Sequence, residues 1–147
     1  MARLICIGNY YRQDDALGLF IGKHPKIKSQ SNIEVFENFG DAFALIEAWK
    51  EAETVIVVDA VKSGRAPGTI FRFNLLSDNL PPDIFTVSTH SSGIAECIAI
   101  SRRLSMLPEK LIFYGIEGQL FGYGTEISDI VKEAMAQVVE QIMNDVG

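Results

Sequence analysis

The sequence predicts an α/β fold, namely a three-layer sandwich in which helices cover both faces of a mostly parallel, twisted sheet. Two observations predict it. Short apolar runs that are rich in β-branched residues alternate along the chain with stretches of helical period. These runs are continuously apolar, as expected of strands that are buried on both faces. Parallel strands need crossover connections, so the intervening helices are expected to pack on the sheet with right-handed topology.

The predicted elements follow from these runs. The predicted strands cover residues 3–8, 33–36, 54–58, 69–73, 85–88 and 110–115. The predicted helices run between Asp15 and Pro25, over 41–51, from Ser91 or Ser92 to 106, and over 128–143. The segment TVIVV at 54–58 is β-branched throughout and predicts a strand that ends at Asp59. Arg72 interrupts the apolar pattern of 69–73 and predicts a half-exposed or edge strand.

Length and composition exclude several classes of protein. A chain of 147 residues predicts one domain, 1–147. With 48% hydrophobic and 22% charged residues, the chain can bury a core, which argues against disorder. Lys and Arg number 13 against 19 for Asp and Glu, and no dense basic run is present. We therefore expect no nucleic-acid partner.

Cysteine usage and hydropathy predict the compartment. Cys6 and Cys97 each lie in an apolar stretch, so we interpret both as reduced core residues. No uninterrupted apolar run approaches the roughly 20 residues that span a bilayer, and the apolar N-terminal run is too short for a signal peptide. We expect a cytoplasmic protein with no membrane span, a monomer or a weak oligomer.

Polar side chains at the ends of three predicted strands suggest a site. Asp14 and Asp15 follow the first strand, Asp59 follows TVIVV, and His90 follows the strand at 85–88. The carboxyl ends of parallel strands share one edge of the sheet, where ligands gather. Two carboxylates and an imidazole form a plausible ligand set for a divalent metal such as Zn or Ni. Asp15, Asp59 and His90 are therefore the candidate site residues.

Asp14, Asp15 and His90 also have structural interpretations. Asp14 or Asp15 could only cap the following helix, and His90 could be a hydrogen-bonded structural histidine. His24 stands before a proline and beside lysines, which is typical of a solvated surface residue. Other site classes lack their motifs, because the sequence contains no H-E-x-x-H, no G-x-S-x-G and no glycine-rich dinucleotide fingerprint.

Four blocks of the sequence resemble the hydrogenase maturation endopeptidases. They are CIGNYYRQDDALG at 6–18, VVDAVKSGRAPGTIFRF at 57–73, STHSSGIAECIAISRRLSMLP at 88–108 and IFYGIEG at 112–118. The blocks occur in the family's order and extend nearly from end to end. The resemblance implies an enzyme that removes a C-terminal extension from the large-subunit precursor of a nickel–iron hydrogenase once nickel has been loaded.

The resemblance also implies roles for the same three residues. Asp15, Asp59 and His90 match the family's metal-binding and catalytic positions, and the nickel is implied to belong to the substrate rather than to a permanent cofactor. Whether a metal activates water, or Asp15 or Asp59 acts as general base, stays open. We expect the loops 62–68 and 118–124 to frame the cleft, with Phe121 and Tyr123 as candidates for an exposed apolar rim.

Two departures from the family pattern support an alternative. Tyr10-Tyr11 replace a Pro-Leu-like pair, and Ala16 stands where glycine is customary. The alternative function is a metal-sensing binding module or chaperone that has the three ligands and no proteolytic activity.

Overall fold

The computed structural model describes residues 1–85 and 93–147. The strands are β1 (Ala2–Ile7), β2 (Ile33–Asn38), β3 (Thr54–Val61), β4 (Ile70–Asn74) and β5 (Lys110–Glu117). The helices are α1 (Leu17–Gly22), α2 (Pro25–Lys28), α3 (Ala42–Trp49), α4 (Pro82–Phe85), α5 (Ile94–Arg103) and α6 (Asp129–Val146), and a 3₁₀-helical turn, Gln13–Ala16, precedes α1.

The five strands form one sheet in the order β2-β1-β3-β5-β4. Every pairing is parallel except that of β4, which runs antiparallel to β5 at the edge. The mostly parallel sheet and the edge position of the strand that contains Arg72 are thus confirmed. The connection from β3 to β4, residues 62–69, is too short for a crossover, so β4 starts at the end of the sheet where β3 finishes and runs in the opposite direction. Because β5 is parallel to β3, β4 pairs antiparallel with β5.

Strand residues alternate between two apolar cores, one on each face of the sheet. Leu4 and Cys6 of β1 pack with α1 and α6, whereas Ile5 and Ile7 pack with α3 and α5. The indole of Trp49 lies in the second core and donates a hydrogen bond of 2.9 Å to the buried Ser101 hydroxyl. Helices therefore cover both faces, as the three-layer prediction requires.

The five described strands differ from their predicted bounds by one to three residues at an end, and the largest difference is in β3. β3 continues through Asp59 to Val61, because its partner β5 also continues, to Glu117, and supplies hydrogen bonds for the extra residues. The strand predicted at 85–88 is wrong at its first residue, since Phe85 ends the short helix α4. The remainder of that strand, His90 and the predicted capping residues Ser91 and Ser92 lie outside the described residues.

Both cysteines are buried and free, as their apolar contexts predicted. Burial raises the pKa of the Cys6 thiol to about 12. Across residues 1–85 and 93–147, no helix combines the length and the apolar character needed to cross a membrane.

Candidate functional site

The turn that carries Asp15 packs directly against the carboxyl ends of two central strands. A Cβ atom on Gly8 would lie 2.4 Å from the backbone oxygen of Asp15. A Cβ atom on Gly18 would lie 2.7 Å from the carbonyl oxygens of both Ile7 and Val58. Only glycine permits these approaches, so the two glycines bring the turn onto the ends of β1 and β3.

Asp59 lies at the same edge, one residue beyond Val58. Its side chain is 0% exposed, and its carboxylate accepts a hydrogen bond of 2.8 Å from the amide of Ala60. Asp59 stands two residues from Val57 and from Val61 along β3, so its side chain is on the same face of the sheet as theirs, the face covered by α3 and α5. The structure thus places two buried acids, Asp15 and Asp59, at one edge of the sheet.

The predicted third ligand, His90, falls outside the described residues. Within the two described segments, no three His, Cys, Asp or Glu side chains are grouped closely enough to hold a metal ion. The trio of Asp15, Asp59 and His90 therefore stays a prediction, of which the structure positions the two acids.

Asp14 has a role that the sequence did not predict. Its buried carboxylate caps no helix: Oδ2 accepts hydrogen bonds from the amides of Gln119 (2.8 Å) and Leu120 (2.9 Å) and from the Ser128 hydroxyl (2.8 Å). Oδ1 accepts a further hydrogen bond of 2.8 Å from the Ser128 amide. Neither the 3₁₀ turn nor α1 has a side-chain cap, so the predicted capping by Asp14 or Asp15 is wrong. Four donors offset the cost of burying the Asp14 charge.

The two preceding side chains bind the same loop. The Arg12 guanidinium donates hydrogen bonds of 2.8 and 3.2 Å to the carbonyl of Phe121. The side-chain oxygen of Gln13 accepts a hydrogen bond of 2.9 Å from the amide of Gly122. We call Arg12, Gln13 and Asp14 the clamp, because three successive side chains attach loop 118–128 to the turn that carries Asp15.

Glu117 organises the other loop at this edge. Glu117 is buried, with 2% of the residue exposed. Its carboxylate accepts hydrogen bonds from the amides of Ser63 (2.9 Å) and Gly64 (3.3 Å) and from the Ser63 hydroxyl. Sequence reasoning missed this residue, although the signal was the one that singled out Asp59: an acid near the end of a continuously apolar strand. Glu117 therefore ties the start of loop 62–68 to the end of β5.

The two loops expected to frame the cleft contact each other. The Lys62 ammonium lies 5.4 Å from the centroid of the Phe121 ring. The side chains that attach each loop, Glu117 and the clamp, come from the same edge of the sheet. The loops therefore lie at the edge that carries the two buried acids, and their framing of a cleft stays a prediction.

A small cavity of about 30 Å³ lies on the α3 and α5 side of this edge. Ile7, Asn38, Gly93 and Cys97 contribute to its lining. Burial, followed by the charge of Glu96, raises the pKa of the Cys97 thiol, so a nucleophilic thiolate is disfavoured there. The carboxylates are the better candidates for chemistry.

A family model described as hydrogenase maturation protease matches residues 23–145. The hydrogenase expression/formation protein HupD of Thiocapsa roseopersicina is 24% identical over an alignment of 144 residues, and the match covers 93% of this chain and 63% of that protein. HupD of Bradyrhizobium diazoefficiens is 26% identical over an alignment of 141 residues, and the match covers 91% of this chain and 71% of that protein. The chain thus spans less than two thirds of the Thiocapsa relative.

Solved structures show the same fold. The hydrogenase maturating endopeptidase HybD from E. coli superposes with a TM-score of 0.84 at 21% identity, covering 98% of this chain and 90% of that one. The [NiFe] hydrogenase maturation protease HybD from Thermococcus kodakarensis gives a TM-score of 0.73 at 24% identity, covering 99% of both chains.

Proposed function

The chain belongs to the hydrogenase maturation protease family, and we propose that it is an endopeptidase acting on the large-subunit precursor of a NiFe hydrogenase. The proposed reaction is removal of the precursor's C-terminal extension after nickel has been loaded. The observation that carries the proposal is the placement of Asp15 and Asp59, both buried, at the carboxyl edge of the sheet. In parallel sheets this edge is where substrates bind.

The substrate's nickel is the proposed recognition element. Carboxylate oxygens from Asp15 and Asp59 and an imidazole nitrogen from His90 form a ligand set that suits a borderline divalent ion. In this scheme the three side chains complete the coordination of nickel that arrives with the precursor. A precursor without nickel lacks this contact and is not processed.

Hydrolysis of the peptide bond requires a proton acceptor and a proton donor. A water molecule adds its oxygen to the scissile carbonyl carbon, the C–N bond breaks, and the amine leaves with a proton. We assign the acceptor to a carboxylate oxygen of Asp15 or Asp59 that does not bind the nickel. The protonated carboxyl group then returns the proton to the leaving amine, which restores the free enzyme.

The decisive experiment incubates the purified chain with nickel-loaded precursor and measures the precursor's mass. We expect a loss equal to the C-terminal extension. Asp59→Asn and Asp15→Asn should each abolish the loss, whereas Glu109→Gln is the matched control, because Glu109 is an exposed carboxylate that immediately precedes β5. An unchanged precursor mass with the wild-type chain would contradict the proposal.

The binding-module alternative rests on the departures from the family pattern. The structure shows that one of them, Ala16, is accommodated without strain. Ala16 is buried and has φ −86° and ψ −2°, a helical conformation that any L-residue adopts. Alanine at this position therefore causes no backbone strain. Saturable binding of nickel-loaded precursor without any mass change would instead support the alternative.

A further inference from the structure

Three large apolar side chains are exposed around loop 118–128. Tyr123 is 90% exposed, Tyr11 is 72% exposed and Leu120 is 41% exposed. We call these three residues the aromatic rim. Tyrosine provides much contact area with few rotatable bonds, which is why it is enriched among residues that dominate binding energy.

The backbone that carries the aromatic rim is firmly held. The Tyr11 carbonyl accepts a hydrogen bond of 2.9 Å from the amide of Gly124, and the clamp binds loop 118–128 from Gln119 to Ser128. The Arg12 guanidinium also lies 5.4 Å from the centroid of the Tyr123 ring. Binding of a partner here costs little conformational entropy in the loop, because folding has already ordered the loop.

The charge of this surface opposes that of the whole chain. The protein has a net charge of −6, but Arg12 and Lys62 flank the rim, each lying against an aromatic ring of loop 118–128. The exposed acid of the loop, Glu126, instead lines a groove with Phe20 and Lys132 on the α6 side. Acidic side chains on a partner would therefore be attracted to the rim and repelled by much of the remaining surface.

We propose that the aromatic rim is a docking surface for the precursor, separate from the nickel contact. It accepts a segment of the precursor in which an apolar side chain stands beside an acidic one. The apolar side chain packs on Tyr123 and Leu120, and the acidic one pairs with Arg12 or Lys62. The proposal rests on the proposed function for the identity of the partner, and it makes binding partly independent of nickel.

The test uses nickel-free precursor as the binding probe, because it should dock without being processed. Surface plasmon resonance with the wild-type chain should show saturable binding, and Tyr123→Ser should raise Kd roughly tenfold. Leu104→Ser is the matched control: Leu104 is 61% exposed but follows α5, which begins beside the cavity at the carboxyl edge and runs away from it. The Kd of Leu104→Ser should stay within about twofold of the wild-type value.

Two further measurements test what charge and Tyr123 each contribute to binding of the precursor. Raising the salt concentration from about 50 to about 300 mM should weaken wild-type binding, and Lys62→Gln should reduce this salt dependence. With nickel-loaded precursor, Tyr123→Ser should raise KM and leave kcat unchanged, since Tyr123 holds substrate without touching the reacting atoms.

The outcomes separate this proposal from the proposed function. Binding that Tyr123→Ser weakens, without any processing of loaded precursor, would support the docking surface and contradict the peptidase. If the precursor is processed normally, and Tyr123→Ser has the same Kd and KM as Leu104→Ser, the docking surface is overturned and the proposed peptidase activity is supported. A wild-type chain that binds no nickel-free precursor would overturn the docking surface as well.

Discussion

The carboxylate of Asp14 accepts hydrogen bonds from both the amide and the hydroxyl of Ser128, each 2.8 Å long, across 114 residues of sequence. Ser128 precedes α6 but makes no side-chain cap to it, and its hydroxyl instead donates a hydrogen bond to Asp14. The turn before α1 and the turn before α6 are thus joined through a single buried carboxylate. This attachment helps to position Asp15, because Asp15 is the next residue in the chain.

Replacing Asp14 by Asn should destabilise the fold. The amide group would replace one acceptor oxygen with a donor, although all four partners of Asp14 are donors. A buried donor facing another donor costs about 1–3 kcal/mol, so the free energy of unfolding in urea should fall by that amount. Ser128→Ala, which removes only the hydroxyl, should cost about 1 kcal/mol. An Asp14→Asn variant as stable as wild type would contradict the role assigned to the carboxylate.

Replacing Glu117 by Gln should loosen loop 62–68. Glutamine keeps one carbonyl oxygen for the three hydrogen bonds that Ser63 and Gly64 donate to both carboxylate oxygens of Glu117. The exposed Lys62 and Arg65 lie in this loop, so limited trypsin digestion should cut there faster in Glu117→Gln than in wild type. Mass spectrometry of the fragments measures the effect. Glu109→Gln serves as the control, and an equal rate for both variants would exclude the loop-holding role.

Asp145 should make stability depend on acid pH. Burial acts to raise the pKa of its carboxyl group, but hydrogen bonds from Arg72 and Tyr114 outweigh burial and lower it. Because the folded pKa lies below the unfolded one, the contribution is present above the unfolded pKa, near 3.9, and is lost as the pH falls through the folded pKa. The difference in urea stability between wild type and Asp145→Asn should therefore shrink on acidification below about pH 4. A constant difference would contradict the lowered pKa.

Neither cysteine should react with iodoacetamide in the native state near neutral pH. Burial raises the pKa of Cys6 to about 12 and also raises that of Cys97, so both thiols stay protonated and shielded. Labelling followed by mass spectrometry should show modification only after unfolding in urea. Rapid native labelling of Cys97, which lines the small cavity at the site edge, would instead reveal an accessible thiolate.

The sheet could be predicted because its signals are local. The β-branched run at 54–58 and the apolar run at 110–115 identify buried strands without knowledge of their neighbours. Their extension to Val61 and Glu117 could not be read in the same way, because these two residues join the ladder by pairing with each other. The acids Asp15 and Asp59 were predictable as site candidates for the same reason: both follow strong strand signals.

Residue pattern alone was sufficient to establish the α/β class, the edge strand, the buried cysteines and the edge of the sheet at which to seek a site. Period and hydropathy carry that information within a few consecutive residues. The folded chain alone decided that Asp14 binds a distant loop instead of capping a helix, and that Glu117 holds Ser63 and Gly64. A hydrogen bond between residues far apart in sequence leaves no periodic trace, since it depends on where the backbone brings each donor.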